Sequence, residues 1–239
     1  MNHLPLNLTP WLVSSIILFI FSVRFLINYS RVRSTLSKYF AIVCISASLA
    51  TGLWTFPFIF LNLADNMHLI RFLLLLGDLF LYVALIYQVR IMWYLLFRNR
   101  FRFISLSIAS LSLSAFGYYS GVMSTLGSVT YPALIDGSMH FATSVGGDLA
   151  QSALLLAVIT NGGYFLIKTY SESDRTARFG SLSIGALHMV IGLGGLFNIL
   201  FRTDTGSNMS PIVLAVYAVG FGLFFASFVL FRISKSKRK

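Results

Sequence analysis

Long apolar stretches separated by short polar ones dominate this chain. Seven of them are long enough to cross a bilayer, since a spanning helix needs about 20 mostly apolar residues. They cover roughly residues 11–29, 38–62, 70–97, 102–123, 145–168, 180–201 and 210–232. Apolar side chains occur on every face rather than at alternate positions, which indicates helices and not the strands of a membrane β-barrel. The predicted fold is therefore all-α, a single domain (1–239) formed by an integral membrane bundle of seven transmembrane helices.

The composition supports this interpretation. Hydrophobic residues make up 57% of the 239 positions and charged residues 10%, whereas a soluble domain has about 45–50% and about 25% respectively. Disorder is excluded because the chain is too apolar. A single cysteine, Cys44, excludes an internal disulfide.

The 18 basic residues are distributed unevenly over the two sides of the predicted bundle. Fourteen flank the inner ends of the stretches: Arg31, Arg33, Lys38, Arg98, Arg100, Arg102, Lys168, Arg175, Arg178, Arg232, Lys235, Lys237, Arg238 and Lys239. The other side has only Arg71 and Arg202, and Arg24 and Arg90 fall inside stretches. The positive-inside rule then places the N-terminus outside and the C-terminus in the cytoplasm. The net charge of +11 thus indicates orientation. No nucleic-acid partner is expected, and the basic loops and tail predict contact with the lipid bilayer or with a cytoplasmic protein partner.

Two further patterns concern loops and packing. The longest predicted loop is 121–144, with a short interfacial helix near 134–141. Rows of small residues predict where helices pack against each other; they are Ser107, Ser110, Ser114, Gly117 and Gly121, then Gly146, Ala150, Ala153 and Ala157, then Gly185, Gly192, Gly194 and Gly195. Trp11, Trp54 and Trp93 fall toward the ends of stretches, where tryptophan is typical of an interfacial anchor.

Ionisable residues inside a predicted span are the first candidates for function, because lipid makes them energetically unfavourable. Asp78 interrupts the leucine-rich third stretch, and Tyr82 lies one helical turn later on the same face. Two interpretations of Asp78 stay open, a ligand or proton site and a structural, hydrogen-bonded carboxyl. Asp148, at the start of the fifth stretch, either belongs to this site or favours the helix N-terminus as a capping residue.

Four more intramembrane polar residues complete the candidate ligand or proton site. They are Arg90, Asn161, His188 and Asn198. Arg90 either extends to the interface or pairs inside the bundle, and His188 is either functional or a hydrogen-bonded packing residue. A polar cavity, if formed, is predicted between the third, fifth and sixth helices. The residues predict no metal site and identify no cofactor.

Seven helices with an external N-terminus resemble the topology of microbial rhodopsins. That family attaches retinal to a lysine in the middle of the last helix, but the last stretch here reads Val-Tyr-Ala-Val-Gly over 216–220 and contains no lysine. A covalent retinal pigment of that type is therefore excluded. Catalytic motifs such as Gly-x-Ser-x-Gly and His-Glu-x-x-His are absent as well, so no enzyme class is favoured.

The first quarter of the chain has a short basic loop, Asn-Tyr-Ser-Arg-Val-Arg-Ser over 28–34, then Lys-Tyr-Phe-Ala over 38–41 and Gly-Leu-Trp over 52–54. This opening resembles the seven-helix sensor module at the N-terminus of some bacterial histidine kinases. The chain departs from that pattern at its other end, where only a short tail follows Phe231 and no kinase domain is present. The resemblance implies a detached sensor or a membrane partner, in a bacterial plasma membrane.

Three functions stay open at this point. The first is a sensor or receptor-like protein that binds a small apolar or amphipathic ligand near Asp78 and Asp148 and acts through a cytoplasmic partner. The second is a proton-coupled small-molecule transporter that uses Asp78. The third is a structural or assembly subunit of a larger membrane complex. A homo-oligomer is compatible with all three.

Overall fold

The computed structural model describes residues 9–61, 65–97, 99–128, 132–135, 138–140 and 144–200. Within these ranges the chain forms long helices and one small hairpin. The helices are α1 (Thr9–Val32), α2 (Thr35–Phe60), α3 (Met67–Met92), α4 (Arg100–Gly127), α5 (Val145–Ser171) and α6 (Arg175–Leu200). A π-helical turn, Trp93–Phe97, extends α3, and the strands β1 (Ala133–Ile135) and β2 (Ser138–His140) lie between α4 and α5.

In the described part of the chain, six helices are long and apolar enough to cross a membrane, which fits a multi-pass membrane protein. They match the first six predicted stretches. Several extend beyond the apolar residues, because a polar segment can continue a helix outside the bilayer. Thus α6 begins at Arg175 rather than near 180, since the carboxylate of Asp174 accepts a hydrogen bond from the Ala177 amide at 3.1 Å. The predicted seventh span, 210–232, lies outside the described residues, and the orientation in the membrane stays a prediction.

The predicted interfacial helix near 134–141 is wrong. This segment contains an antiparallel pair in which Ala133 faces His140 and Ile135 faces Ser138. The sequence between the strands is Asp136-Gly137, a dipeptide that favours two-residue hairpin turns. The described part of the chain is therefore not purely helical.

Four of the described helices, α2, α4, α5 and α6, start at polar side-chain caps that the sequence supplies. The side chain of Ser34 accepts a hydrogen bond from the Ser37 amide at the start of α2, and Asn99 does the same for Phe101 at the start of α4. Ser34 follows Arg33, whose φ of 54° lets the chain reverse within two residues between α1 and α2. Such a conformation is uncommon outside glycine. It keeps α1 and α2 adjacent and antiparallel.

Each helix packs against the next in sequence, α3 also packs against α5, and α6 completes the described bundle. Contact between α6 and the first two helices is made by Leu187, which joins a buried cluster with Leu18 and Phe21 of α1 and Cys44 of α2. Hydrogen bonds tie α1 to α2. The hydroxyls of Ser15 and Ser48 each donate to the other's backbone carbonyl, at 2.9 and 2.8 Å, and the Asn28 side-chain amide donates to the Ser37 hydroxyl at 2.6 Å. The bundle thus combines apolar packing with short polar links between neighbouring helices.

The rows of small residues are contact faces in α4 and α6. Ser110, Ser114 and Gly117 are the buried residues of α4, and glycines of α6 lie directly on α5. A Cβ added at Gly185 would lie 2.9 Å from Leu166, and one at Gly192 would lie 2.5 Å from Ile159. The predicted row of α5 is wrong in one member, because Ala153 is exposed. The buried face of α5 follows the helical period through Gly147, Ala150, Leu154, Ala157 and Asn161.

Candidate functional site

Asp78 lies inside α3 and is held from the neighbouring helix. It comes eleven residues after Met67, the first residue of α3, about 16 Å along the axis. The indole Nε1 of Trp54 in α2 donates to its Oδ1 at 3.1 Å. A Cβ added at Gly77 would lie 2.7 Å from that indole, so the glycine is what allows the ring to lie across α3. The Asp78 carboxyl, which lies in an apolar span, therefore accepts a hydrogen bond from a neutral and rigid donor, the Trp54 indole.

Tyr82, one turn after Asp78, connects α3 to α5. Its ring is buried, and its hydroxyl is hydrogen-bonded to the side chain of Gln151 and lies 3.5 Å from the carbonyl oxygen of Gly147. Both Asp78 and Asp148 are close enough to this hydroxyl to interact with it electrostatically. The structure therefore brings three of the predicted site residues into one place. We call Trp54, Asp78, Tyr82, Asp148 and Gln151 the Asp78 cluster.

Helix α4 closes the fourth side of the Asp78 cluster. Tyr118 is also within electrostatic range of Asp78, and Gly121 passes close to it, since a Cβ added there would lie 3.9 Å from the Asp78 Oδ2. Gly117 leaves the space that the Tyr82 hydroxyl occupies, because an added Cβ would overlap it. Four helices, α2 to α5, thus meet at the cluster, at the end of the bundle where α3 and α5 begin.

Asp148 is not the N-cap of α5, because Ser144 has that position. Ser144 is the N-cap of α5, and its hydroxyl accepts a hydrogen bond from the Gly147 amide at 3.0 Å. Asp148 lies in the first turn instead, where the helix dipole stabilises a negative charge. Its carboxylate can therefore favour the helix end and still act on Tyr82.

Asn161 lies apart from the Asp78 cluster, at a second contact between α3 and α5. Its amide nitrogen donates to the backbone oxygen of Gln88 at 3.0 Å and to the Gln88 side-chain oxygen at 2.9 Å. Arg90, two residues on, places its guanidinium over the ring of Tyr87, 4.7 Å from the centroid. That geometry is a cation–π contact. Asn161 is thus a link between helices, and Arg90 pairs with an aromatic ring rather than with Asp78.

His188 occupies a third place, in an aromatic environment between α2, α5 and α6. Its ring lies edge-on to Phe40, with centroids 5.6 Å apart, and 6.2 Å from Phe165. Its Nδ1 lies 2.8 Å from the carbonyl oxygen of Ile184. Most contacts of His188 are therefore those of a hydrogen-bonded packing residue. The side chain of Asn198, the last predicted site residue, lies outside those that the structure describes.

Sequence reasoning missed part of the cluster. Trp54 was predicted as an interfacial anchor, but its indole donates to a carboxyl within the bundle. Depth along the helices does not select this pair, since Trp54 is six residues from the end of α2 whereas Asp78 is eleven from the start of the antiparallel α3. Gln151 shares a face with Asp148, yet nothing in the sequence selects Tyr82 as its partner. In the described part of the chain, no group of three or more His, Cys, Asp or Glu could hold a metal ion.

Comparisons of the chain with protein-family models, with curated proteins and with solved structures gave no match.

The hydrogen bond from Trp54 to Asp78 can be tested by removing its donor. Trp54→Phe keeps an aromatic ring against Gly77 but loses Nε1, so we expect thermal unfolding in detergent to show a loss of about 1 kcal/mol, within the range measured for hydrogen bonds between membrane helices. Trp93→Phe is the matched control, because Trp93 donates to the Asn99 carbonyl at an exposed site. A loss for Trp54→Phe no larger than that of the control would contradict the assignment.

Proposed function

We propose that this protein is a sensor or receptor-like membrane protein with a small-ligand site at the Asp78 cluster. The observation that carries the proposal is the hydrogen bond from Trp54 to Asp78 inside a membrane-spanning helix, next to a tyrosine that also interacts with Asp148. Intramembrane carboxyls are seldom retained without a role. The resemblance of the first helices to the sensor module of bacterial histidine kinases points to the same class.

The ligand class follows from the chemistry of the cluster. Two carboxyls, a phenol and a side-chain amide meet next to an apolar core cluster that includes Tyr82 and Ala150. Such a site favours a small amphipathic molecule with a cationic or hydrogen-bond-donating end, because carboxylates accept and attract positive charge. The apolar remainder of the ligand would lie against the leucines of α3. An amine of modest size satisfies both requirements.

A mechanism for signalling is supported by the position of the cluster among the helices. It joins α2, α3 and α5, and α4 packs directly on Tyr82. A ligand that replaces Trp54 as the partner of Asp78 would free α2 relative to α3. Because α2, α4 and α6 begin at the opposite, basic end of the bundle, a shift of these helices would reach a cytoplasmic partner bound to the basic loops, given the predicted orientation.

The test is a thermal-shift screen of the detergent-purified protein against a panel of small primary, tertiary and quaternary amines. A ligand at 100 times its Kd should add about 2.7 kcal/mol to the free energy of unfolding. We expect Asp78→Asn to abolish the shift for every amine that stabilises the native chain. Asp174→Asn is the matched control, since asparagine can still cap α6 from outside the site. Shifts that survive Asp78→Asn would overturn the assignment of the site.

A proton-coupled carrier is the second candidate, favoured by the depth of Asp78 in α3. In proteoliposomes with an imposed pH gradient, a carrier would accumulate the amine that shifts thermal stability, and Asp78→Asn would stop uptake. Binding without uptake would favour the sensor. Uptake that continues in Asp78→Asn would exclude Asp78 as the proton site.

A further inference from the structure

His188 has one ring nitrogen that no described residue satisfies. Its Nδ1 lies 2.8 Å from the carbonyl oxygen of Ile184. Because a carbonyl can only accept, Nδ1 carries the hydrogen of the neutral ring, and the lone pair is on Nε2. Among the described residues Nε2 has no hydrogen-bond partner, and His188 is buried, with 5% of its surface exposed. His188 therefore presents a buried acceptor in need of a donor.

Asn161 presents a second acceptor of the same kind. The backbone oxygen of Gln88 can only accept, which fixes the amide orientation with Nδ2 toward it. The other Nδ2 hydrogen is used by the side-chain oxygen of Gln88. Only Oδ1 is left, and it has no partner within the described part of the chain, in a side chain that is 0% exposed. An unsatisfied buried acceptor is destabilising by about 1–3 kcal/mol.

Helix geometry directs the side chains of Asn161 and His188 to the same side of the α5–α6 contact. The helices α5 and α6 approach each other closely at Gly162, where an added Cβ would lie 3.0 Å from the Met189 amide nitrogen. Asn161 and His188 each come one residue before this contact, a rotation of about 100° along each helix. Because the helices are antiparallel, these rotations bring both side chains to the same side of the contact. Phe165, one turn after Asn161, has its ring centroid 6.2 Å from that of His188, which agrees with this placement.

We propose that Nε2 of His188 and Oδ1 of Asn161 together bind one small group that donates two hydrogen bonds. Water and the primary amine end of a ligand both have this chemistry, since two acceptors require two hydrogens. The site is separate from the Asp78 cluster, and it lies on the inner side of the α5–α6 pair, where Asn161 faces Gln88 of α3 and His188 faces Phe40 of α2. The donor would link α5 to α6.

The first test is an experimental structure of the full chain at a resolution that shows ordered water. We expect a density feature within hydrogen-bonding distance of both Nε2 and Oδ1. Mass spectrometry of a solvent extract of the same preparation separates the two sources, because an amine would be recovered and water would not. Apolar side chains filling the space between the two atoms would overturn the proposal.

The second test is a double-mutant cycle in thermal unfolding. His188→Phe keeps a ring against Phe40 and Phe165, and Asn161→Leu removes the other acceptor. If one donor bridges them, the second removal has less effect than the first, and the cycle shows a coupling of about 2–4 °C in Tm. Ser114→Ala is the matched control, since its hydroxyl is also buried and without a hydrogen-bond partner among the described residues but lies on α4. Additive effects for both pairs would overturn the bridge.

If Asn161→Leu does not fold, nitrogen NMR of the native chain with ¹⁵N-labelled histidine gives the answer. The His188 resonances are assigned by their loss in His188→Phe. We expect the Nε2 signal at the position of a nitrogen that accepts a hydrogen bond. A signal at the position of a bare lone pair would overturn the proposal without any change to Asn161.

Discussion

Replacing Gly117 with alanine is expected to destabilise the bundle and to displace Tyr82 from the Asp78 cluster. The added Cβ would overlap the Tyr82 hydroxyl and would lie 2.6 Å from the Cβ of Ala150. Ala150 is fixed to the backbone of α5 and is 0% exposed, so α4 and α5 must move apart. Overpacking of this kind costs about 1–3 kcal/mol, while the better helix propensity of alanine returns at most about 1 kcal/mol.

Gly121→Ala is the matched control, one turn later on the same face of α4. Among the described residues, its Cβ would come near only the Asp78 Oδ2, at 3.9 Å, which is an ordinary van der Waals separation. We expect Tm to stay the same or to rise in this variant and to fall by several degrees in Gly117→Ala, and only the latter should weaken amine binding. Equal Tm values for the two variants would show that α4 does not pack on Tyr82 in this way.

The bundle itself could be predicted because lipid leaves the backbone few choices. An unpaired amide or carbonyl is so unfavourable in hydrocarbon that every long apolar stretch must be helical, and the six predicted stretches between 11 and 201 are helices in the described chain. The helix ends were predicted less well, since α6 starts at Arg175 and α4 continues to Gly127. Hydropathy locates the part of a helix inside the membrane, whereas capping residues such as Asp174 determine where the helix begins.

The strand pair between α4 and α5 is the segment whose secondary structure was predicted wrongly. An interfacial helix was predicted near 134–141, whereas residues 133–135 and 138–140 are paired strands, and the dipeptide Asp136-Gly137 between them in the sequence is typical of two-residue turns. The turn dipeptide was visible in the sequence, but a short segment at a membrane surface is compatible with both an interfacial helix and a pair of strands. The two residues between the strands indicate the observed pairing better than hydropathy does.

Asp78 could be singled out from the sequence, but its partners could not. A carboxyl among leucines is conspicuous in one helix, whereas Trp54 and Gln151 come from α2 and α5 and reach the site only through the relative height and rotation of three helices. Those depend on close approaches at Gly77 and Gly117. For the same reason, Asn161 and His188 were grouped with Asp78 although they face other neighbours.

The link between α3 and α5 at Asn161 is the last place where a large effect is expected. Asn161→Ala removes both hydrogen bonds to Gln88 and empties a fully buried position. Hydrogen bonds between membrane helices average about 0.6 kcal/mol each. With the cavity and the loss of the donor to the Gln88 side-chain oxygen, the loss should be about 2–3 kcal/mol in detergent unfolding.

Two companion variants make this result specific to the interhelical contact. Gln88→Leu leaves the backbone oxygen that Asn161 also uses, so its loss should be smaller than that of Asn161→Ala, and the double variant should be less than additive because the partners are shared. Thr160→Ala, at the adjacent position, removes an exposed hydroxyl bonded to the Leu156 carbonyl within α5 and should change stability little. A Thr160→Ala loss as large as that of Asn161→Ala would assign the effect to α5 alone and remove the case for a polar link to α3.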